Sequence, residues 1–348
     1  MKSCLYRYVL FGVFAFTYAG CQSPNPSKQQ LTAEKDPVTG QVVVKEGDDT
    51  VLQFNYQTIY EKDVIHLEGA KPEDYTRRDR DTFVTTALYA VPRSDYIHPL
   101  YGLQGEMLTR DWPAGAHPHH RGIFWAWPEV EFGSKKGDLY ALQTVFARPT
   151  GNLDLKGGAD YALITAENEW KWDDKEPIVL ETATMKVHKA QEQIRIIDLA
   201  FRFVALKDSI TLATRNTDSY GGLNIRMQTP ENQSIDYYTD EPGSSTRRAW
   251  STFTGVFEGA TTASGLAVLQ HPANPEYPGS WQEYPDLAWV QPTFPTRGTR
   301  FALQRGKPLD LRYRLIIFKG GEPEPSVLKD WWDAYHRDKT VLDLLTDN

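Results

Sequence analysis

The sequence feature that most constrains the fold is a series of segments in which apolar and polar residues alternate. The two clearest are Tyr161–Trp172 (YALITAENEWKW) and Ile178–Val187 (IVLETATMKV). Alternation places successive side chains on opposite faces, so each segment predicts a half-buried β-strand. Similar segments follow one another along the chain with turn residues between them, which is typical of antiparallel sheets. We therefore predict an all-β fold, a large antiparallel β-sandwich formed by a single domain over residues 40–348.

Three further segments add detail to this prediction. Residues 139–148 (LYALQTVFAR) are predicted to form another strand. Residues 193–206 alternate with a phase slip near Asp198, which predicts a β-bulge. Residues 327–336 predict a C-terminal helix capped by Ser326, because large apolar residues recur there at helical spacing. Those residues are Leu328, Trp331, Trp332 and Tyr335.

The N-terminus has the features of a targeting segment rather than of a folded domain. Basic residues precede the apolar run Tyr8–Tyr18, and small residues then lead to Cys21. This arrangement resembles a bacterial lipoprotein signal, with Tyr18 in place of the usual leucine. Residues 1–20 are accordingly predicted to be a signal peptide, and residues 21–39 a lipidated cysteine with a flexible tether. The resemblance implies a protein held by its lipid in the membrane of the cell envelope, facing the periplasm or exposed on the outer membrane.

The composition excludes several kinds of partner and chemistry. The chain has 38 Lys and Arg against 46 Asp and Glu, a net charge of −8, and its basic residues are spread along the sequence. Nucleic acid is not an expected partner, because phosphate binding requires a concentrated basic surface. The only cysteines are Cys4 and Cys21, so the mature domain lacks disulfides, thiol nucleophiles and thiolate metal ligands. No nucleotide-binding motif occurs, and no nucleotide cofactor is predicted.

The candidate site lies in the stretch His98–Glu131, which contains four of the eight histidines. Within it, HPHHRG leads directly into the apolar run IFWAW. Binding groups are commonly found where a loop meets a strand, because the sheet fixes their positions. Imidazole both accepts and donates protons near neutral pH. His117, His119 and His120 are therefore the predicted catalytic histidines.

Other side chains of the same stretch are predicted to assist them. Glu106 and Asp111 are candidate acid–base partners, since their carboxylates can exchange a proton with imidazole. Arg110 and Arg121 are candidate substrate-binding residues, because a guanidinium group binds an oxyanion strongly. Trp125 is a candidate for stacking on a sugar ring.

Two segments elsewhere in the chain contribute further candidates. Arg226 lies inside an apolar strand, GGLNIRM, and a buried arginine requires a carboxylate or a ligand anion. His271 ends a strand in LQHPANP and is the fourth predicted catalytic histidine. Trp281 is the second candidate for stacking on a sugar.

Metal binding is an alternative use of the same histidines. His-x-His on a strand, joined by His271 or a carboxylate, can ligate zinc or another divalent ion. The spacing matches no closed zinc motif. A divalent metal therefore remains an alternative, and no cofactor is predicted.

At HPHHRGIFWAW, GGLNIRM and LQHPANP the chain resembles a bacterial family of secreted proteins labelled "methane oxygenase PmoA", or PmoA family protein. The resemblance covers most of the chain, although GSW at residues 279–281 replaces a Pro-Thr-Pro-Trp-like run. The label does not describe the expected function, because a membrane-embedded oxygenase subunit needs several transmembrane helices and no later apolar run suits one. The resemblance instead implies a β-sandwich similar to galactose mutarotase and a role in carbohydrate metabolism.

We therefore expect a lipoprotein enzyme that acts on carbohydrate. It would cleave a glycoside by hydrolysis or elimination, or epimerise it, through a site rich in histidine and arginine. Hydrolysis commonly uses two carboxylates, whereas elimination and epimerisation can proceed with one imidazole base. The alternatives are a glycan-binding lipoprotein without catalysis and a metal-dependent carbohydrate enzyme.

Overall fold

The computed structural model describes residues 30–59, 64–65, 76–79, 82–84, 91–111, 119–238 and 249–346. The predicted signal peptide, Cys21 and His117 lie outside the described residues. The tether predicted over residues 21–39 is too long, because Leu31–Lys35 pairs with Val42–Glu46 as a strand of the folded domain. Within them the chain consists mainly of antiparallel strands, followed by one α-helix near the C-terminus. The predicted antiparallel β-sandwich with a C-terminal helix is therefore confirmed.

Strands follow one another along the described chain up to the single C-terminal α-helix. The strands are β1 (Leu31–Lys35), β2 (Val42–Glu46), β3 (Asp49–Phe54), β4 (Val64–Ile65), β5 (Thr76–Asp79), β6 (Thr82–Val84), β7 (Tyr96–Leu100), β8 (Ile123–Ala126), β9 (Glu129–Phe132), β10 (Lys135–Gly137), β11 (Val145–Lys156), β12 (Tyr161–Trp172), β13 (Glu176–His188), β14 (Ile194–Ala205), β15 (Ile210–Ala213), β16 (Gly222–Arg226), β17 (Glu231–Tyr238), β18 (Trp250–Val256), β19 (Ser264–Gln270), β20 (Ser280–Tyr284), β21 (Trp289–Thr293), β22 (Phe301–Leu303) and β23 (Leu309–Lys319). The helices are the α-helix α1 (Pro325–Arg337) and the 3-10 segments Arg215–Thr217, Pro285–Leu287 and Lys339–Leu345.

Two eight-stranded sheets form the body of the sandwich. The first sheet has the order β1-β2-β3-β7-β8-β16-β21-β20, and the second has the order β11-β12-β13-β14-β23-β19-β18-β17. A four-stranded sheet, β10-β9-β15-β22, and a three-stranded sheet, β4-β5-β6, complete the described strands. Neighbouring strands are antiparallel throughout, so each large sheet can present one face to the core and one face outward.

The core lies between the two large sheets and is rich in aromatic rings. Trp125 of β8 and Trp127, which follows that strand, point toward the second sheet. Their rings lie 4.2 Å from Phe201 and 5.2 Å from Phe203 respectively. Phe124, the neighbour of Trp125 in β8, therefore points to the opposite, outer face of the first sheet. All four residues of β8 are buried, so both of its faces are covered, which explains the continuous apolar run.

An acidic pair is buried inside this core. Both oxygens of Glu181 accept indole hydrogen bonds, from Trp125 at 2.5 Å and from Trp170 at 2.5 Å. Asp95 lies beside Glu181 and accepts a hydrogen bond from Asn168 at 2.9 Å. Burial, and then the neighbouring Glu181, raise the pKa of Asp95 well above its usual value. Burial also raises the pKa of Glu181, so the two neighbouring carboxyl groups do not readily ionise together in the folded protein.

Helix α1 packs on the outer face of the second sheet through its apolar side. Leu328, Trp332 and Tyr335 are buried there, which confirms the predicted helical spacing. The predicted cap is wrong: the N-cap residue is Glu324, and Pro325 occupies the first turn, where its missing N–H costs no helical hydrogen bond. No helix in the described part of the chain has the length and apolar character that a membrane crossing requires.

Two other local predictions are also wrong. The register of β14 continues without a shift past Asp198 against both neighbouring strands, so there is no bulge. The apparent phase slip arises because the 3-10 segment Lys339–Leu345, which follows α1, packs on the outer face of β14 and allows buried residues on both of its faces. Residues 139–144 form a turn rather than a strand, and β11 begins only at Val145. Leu142 and Thr144 have positive φ angles of 56° and 70°, a backbone conformation that a strand does not contain.

Candidate functional site

The predicted histidine loop lies at one end of the first sheet, where three backbone segments join. The amide of Gly122 donates to the carbonyl of Arg110 at 2.8 Å, and the amide of Arg226 donates to the carbonyl of Gly122 at 2.8 Å. The amide of Arg110 in turn donates to the carbonyl of Arg226 at 3.1 Å. The segments HPHHRG and GGLNIRM, which are far apart in the sequence, are therefore adjacent in the fold.

Gly122 explains why the histidine run must end in glycine. Its φ angle is +52°, and a Cβ atom there would lie 2.1 Å from the carbonyl oxygen of Ile97. Any other residue would meet both backbone strain and a steric clash. The close approach holds the end of the loop against β7 and so positions His120 just before β8.

The two histidines form a compact cluster with aromatic residues from other elements. The rings of His119 and His120 lie 4.5 Å apart in an edge-on arrangement. Tyr140 lies 5.5 Å from His119 and 5.9 Å from His120, and Trp289 lies 4.9 Å from His120, all measured between ring centroids. We call His119, His120, Tyr140, Trp289 and Arg226 the outer-face site.

Strand register shows why these residues share one face. Phe124 of β8, on the outer face, pairs with Asn224 of β16, and Arg226 follows Asn224 by two residues on the same side. Arg226 in turn pairs with Trp289 of β21. Sequence separations of 100 residues (Phe124 to Asn224) and 63 residues (Arg226 to Trp289) are thus closed by sheet pairing alone.

Arg226 is the most unusual group in the site. Its side chain is only 4% exposed, and its Nε and Nη1 atoms make no hydrogen bond to the described protein. Burial, together with the neighbouring charge of Arg110, lowers the pKa of Arg226 to about 10. The guanidinium therefore remains charged at neutral pH. Together with the missing hydrogen bonds, this makes Arg226 a buried cation without a protein partner in the described chain.

Tyr140 is presented by a turn that two arginines hold in place. Arg93 donates to the backbone carbonyls of Tyr140 and Leu139, while Arg215 pairs with Asp138 at the start of the turn. The Tyr140 hydroxyl is buried and has no hydrogen-bond partner in the described chain. Burial and the nearby Tyr220 raise the pKa of this phenol well above its usual value. Tyr140 therefore keeps its proton and can donate it or a hydrogen bond.

A row of uncharged polar groups continues from Arg226 along the same face. The register that pairs Gly222 with Thr293 and Arg226 with Trp289 places Asn224 opposite Gln291. The side-chain oxygen of Asn224, both amide atoms of Gln291 and the hydroxyl of Thr293 are buried without a hydrogen bond to described residues. Buried polar groups are normally satisfied, so bound water or ligand hydroxyls are expected here.

Arg121 and Asp111 are brought close to the site but are engaged with each other. Arg121 is fully buried, and its Nε and Nη2 atoms donate to the two carboxylate oxygens of Asp111. Tyr96 joins the pair, because its hydroxyl accepts from Arg121 and donates to Asp111 at 3.1 Å. This bidentate pair orients the loop that carries His119 and His120, a positioning role in place of the predicted direct contact with substrate.

His271 is not brought to the outer-face site. Its ring packs edge-on against Tyr335 of α1 at 5.0 Å, in the cluster on the far face of the second sheet. Its Nδ1 atom accepts the amide of Ala273 at 3.0 Å. Burial and the charge of Arg312 lower the pKa of His271 to about 4, so it is neutral in that cluster.

Three other predicted site residues also lie elsewhere. Glu106 folds back within the turn after β7 and accepts the amide of Gln104 at 2.8 Å. Trp125 is a core residue that donates to Glu181, so its ring is not available to a sugar. Trp281 pairs with Pro292 and faces the interior of the sandwich, the side opposite Arg226. Periodicity alone could not tell which face of β20 would be covered.

Tyr140, Trp289, Asn224 and Gln291 were not predicted from the sequence. A signal existed for Asn224, because GGLNIRM places it two residues before Arg226 and therefore on the same face. The other three come from distant segments whose pairing cannot be read locally. No group of three His, Cys, Asp or Glu side chains in the described chain is placed to hold a metal ion, and His117 lies outside that part.

Comparison with known proteins places the sequence in a family but attaches no activity to it. A search of curated proteins finds no match. The sequence model of a family of unknown function, DUF6807, matches residues 74–333. This range includes every member of the outer-face site and most of the chain. The chain therefore belongs to the DUF6807 family.

Proposed function

We propose that this protein is an enzyme of carbohydrate metabolism that transfers a proton to or from a sugar at the outer-face site. The observation that carries the proposal is the packing of two imidazoles, 4.5 Å apart, against Tyr140 and Trp289. One imidazole can remove a proton while the second imidazole or the phenol returns one.

The surroundings of the histidines suit a polyhydroxylated ligand. Tyr284 stacks on the buried Trp289 with ring centroids 4.6 Å apart, and its own ring is only half-buried, so this phenol provides an aromatic group of the kind that sugars contact. The amide oxygens of Asn224 and Gln291 and the amide nitrogen of Gln291 are buried without protein partners in the described chain. The oxygens can accept hydrogen bonds from ligand hydroxyls, and the nitrogen can donate to them. The resemblance to the PmoA-labelled family and to mutarotase-like sandwiches supports the same class of substrate.

Proton transfer next to a carbonyl or carboxylate is favoured over two-carboxylate hydrolysis. The carboxylates described near the site, Asp111 and Asp138, are paired with Arg121 and Arg215 respectively. Hydrolysis requires one carboxylic acid and one free carboxylate on either side of the bond. We therefore expect elimination or epimerisation.

The location and the cofactor requirement are part of the same proposal. The N-terminal pattern supports a lipid-anchored protein of the cell envelope, where glycans from outside the cell are met. Two alternatives are retained: a glycan-binding lipoprotein without turnover, and an enzyme that requires a divalent metal.

The test is to incubate the purified protein with neutral, uronate-containing and 3-keto glycosides and to identify products by mass spectrometry. His119→Gln, His120→Gln and the double alanine variant would be compared with His336→Ala, a control on an exposed histidine of α1. Product from the wild type and the control, but not from the site variants, would support the enzyme proposal. Its mass separates elimination, which adds no water, from hydrolysis.

Binding without turnover in every variant would overturn catalysis in favour of a glycan-binding role. Activity that disappears with a chelator and returns with a divalent ion would support the metal-dependent alternative. Equal activity of the double variant and the wild type would exclude the outer-face site as the catalytic centre.

A further inference from the structure

The outer-face site contains more positive charge than the described protein neutralises. Arg226 is buried with two of its nitrogen atoms unbonded to described residues, and the charged group that acts on it most strongly is another cation, Arg110. Leaving a buried guanidinium without an anion is costly, because the lost hydration is not replaced. Natural proteins retain such a group where a ligand supplies the counterion.

The acidic groups around the site are already committed. Asp111 holds Arg121 through two hydrogen bonds, and Asp138 pairs with Arg215 and accepts the amide of Ala141 at 2.8 Å. Neither carboxylate is among the charges that shift the pKa of Arg226. The charge of Arg226 is thus available to an incoming anion.

We propose that the substrate of the outer-face site carries a carboxylate, as in a uronic acid unit, and that Arg226 binds that carboxylate. This inference rests on the proposed function and names its substrate class. The planar guanidinium fork matches a planar carboxylate in a bidentate manner. Asn224 and Gln291 lie on the same face and bind the ring hydroxyls.

A carboxylate also supplies the chemistry that the histidines require. The hydrogen on the carbon next to the carboxylate is removed by one imidazole, and the electron pair moves into the enolate that Arg226 stabilises. In elimination, the pair then forms a carbon–carbon double bond while the neighbouring carbon–oxygen bond breaks. The leaving oxygen takes a proton from Tyr140 or the second histidine, so no water or oxidant is consumed. In epimerisation, the proton returns to the opposite face of the same carbon.

The experiment compares matched sugars in binding measurements by calorimetry. The probes are the methyl glycosides of glucuronate and galacturonate, the neutral glycosides of glucose and galactose, and galactose 6-sulfate. The variants are Arg226→Gln, Arg226→Lys and, as a control, Arg148→Gln, whose arginine pairs with Asp174 away from the site. Thermal unfolding of each variant shows whether it is folded.

We expect the wild type and the control to prefer a uronate over its neutral counterpart. Arg226→Gln should weaken uronate binding by about 30-fold or more and neutral-sugar binding by much less, because the charge-assisted contact is made only to the uronate. Arg226→Lys should restore part of the preference, since it keeps the charge but loses the fork.

Four outcomes would count against the inference in distinguishable ways. Equal binding of uronate and neutral sugar that is insensitive to Arg226→Gln would overturn the carboxylate assignment and leave the proposed function standing. A preference for the sulfate would replace the carboxylate with another oxyanion. A uronate preference that survives in Arg226→Gln would place the anion contact elsewhere. Failure of the wild type to bind any sugar would overturn the proposed function as well.

Discussion

Two regions of the molecule bury arginine, histidine and tyrosine together, and they differ in how the charges are neutralised. Under α1, Arg314 donates to both oxygens of Asp198 at 2.6 and 3.0 Å and to Asp338 at 2.9 Å. His188 contacts Asp198 as well, at 2.7 Å. We call Asp198, Arg314, Asp338, His188 and Tyr335 the helix-covered cluster. In the outer-face site, by contrast, Arg226 has no carboxylate partner in the described chain.

The difference assigns the helix-covered cluster a structural role and supports the proposed binding role of the outer-face site. In the helix-covered cluster Arg314 is paired with the carboxylates of Asp198 and Asp338. The pair with Asp338 fixes the end of α1 to the second sheet. In the outer-face site cationic and hydroxyl groups remain unsatisfied by the described chain, so binding a ligand is favourable there. Burial of charge alone therefore does not distinguish the two regions, and the proposed binding role of the outer-face site depends on the missing counterion of Arg226 in the described chain.

The largest expected effect is on stability in the helix-covered cluster. Asp198→Ala should lower the free energy of unfolding by about 3–5 kcal/mol, because it leaves Arg314 buried without its main partner. Denaturant titration would measure the change. Asp154→Ala, at an exposed pair with Lys156, should cost no more than about 1 kcal/mol. A comparable loss at both positions would show that the cluster contributes no special stability.

The second prediction compares two buried tyrosines whose hydroxyls lack partners in the described chain, Tyr140 and Tyr335. Tyr140→Phe should reduce sugar conversion by about 100-fold, since it removes a proton donor from the site. Tyr335→Phe should leave conversion unchanged, because that ring packs on His271, Arg314 and the apolar cluster under α1, away from the outer-face site. Steady-state kinetics of the two variants would test this. Equal losses would contradict the assignment of different roles.

The third prediction concerns stability in the outer-face site without ligand. Arg226→Gln should leave the free energy of unfolding unchanged or raise it by about 1 kcal/mol, since a buried unpaired charge is removed. This sign is opposite to the one expected for Asp198→Ala. Thermal unfolding in sugar-free buffer would measure it. A loss of several kcal/mol would reveal a protein partner for Arg226.

The last prediction concerns pH and the buried acid pair of the core. The pKa of Asp95 is raised in the folded protein, so the folded state holds a proton that the unfolded state loses first. The contribution of this proton to the free energy of unfolding is fully present below the usual aspartate pKa. It declines as pH rises from that value to the raised pKa of the folded state, by up to about 1.4 kcal/mol per pH unit. Asp95→Asn mimics the protonated form, and asparagine tolerates the positive φ of 67° at this position.

Unfolding temperatures of the wild type and Asp95→Asn should therefore diverge as pH rises, with the variant the more stable at alkaline pH. Denaturation over a pH series would measure the divergence. Parallel curves would show that Asp95 gains no proton on folding.

Much of the fold followed from local patterns in the sequence. Period-two alternation is set by backbone geometry, so it predicted the long strands β12, β13 and β14 directly. Helical spacing predicted α1 for the same reason, although its cap was misplaced. The turn at residues 139–144 could not be predicted, because its shape depends on contacts from Arg93 and Arg215, which are distant in sequence.

The sequence by itself determined that the chain is an antiparallel β-sandwich with a C-terminal helix, and it identified the segments of His119, His120 and Arg226 as chemically unusual. Only the tertiary structure decided which of the selected residues share a site. Arg121 pairs with Asp111, His271 lies under α1, and Trp125 lies in the core. Tyr140 and Trp289, by contrast, contact the two histidines. The physical reason is that strand order and the covering of each face depend on long-range pairing. Local periodicity predicts which residues of a strand share a face. It does not predict which strand, helix or loop packs against that face.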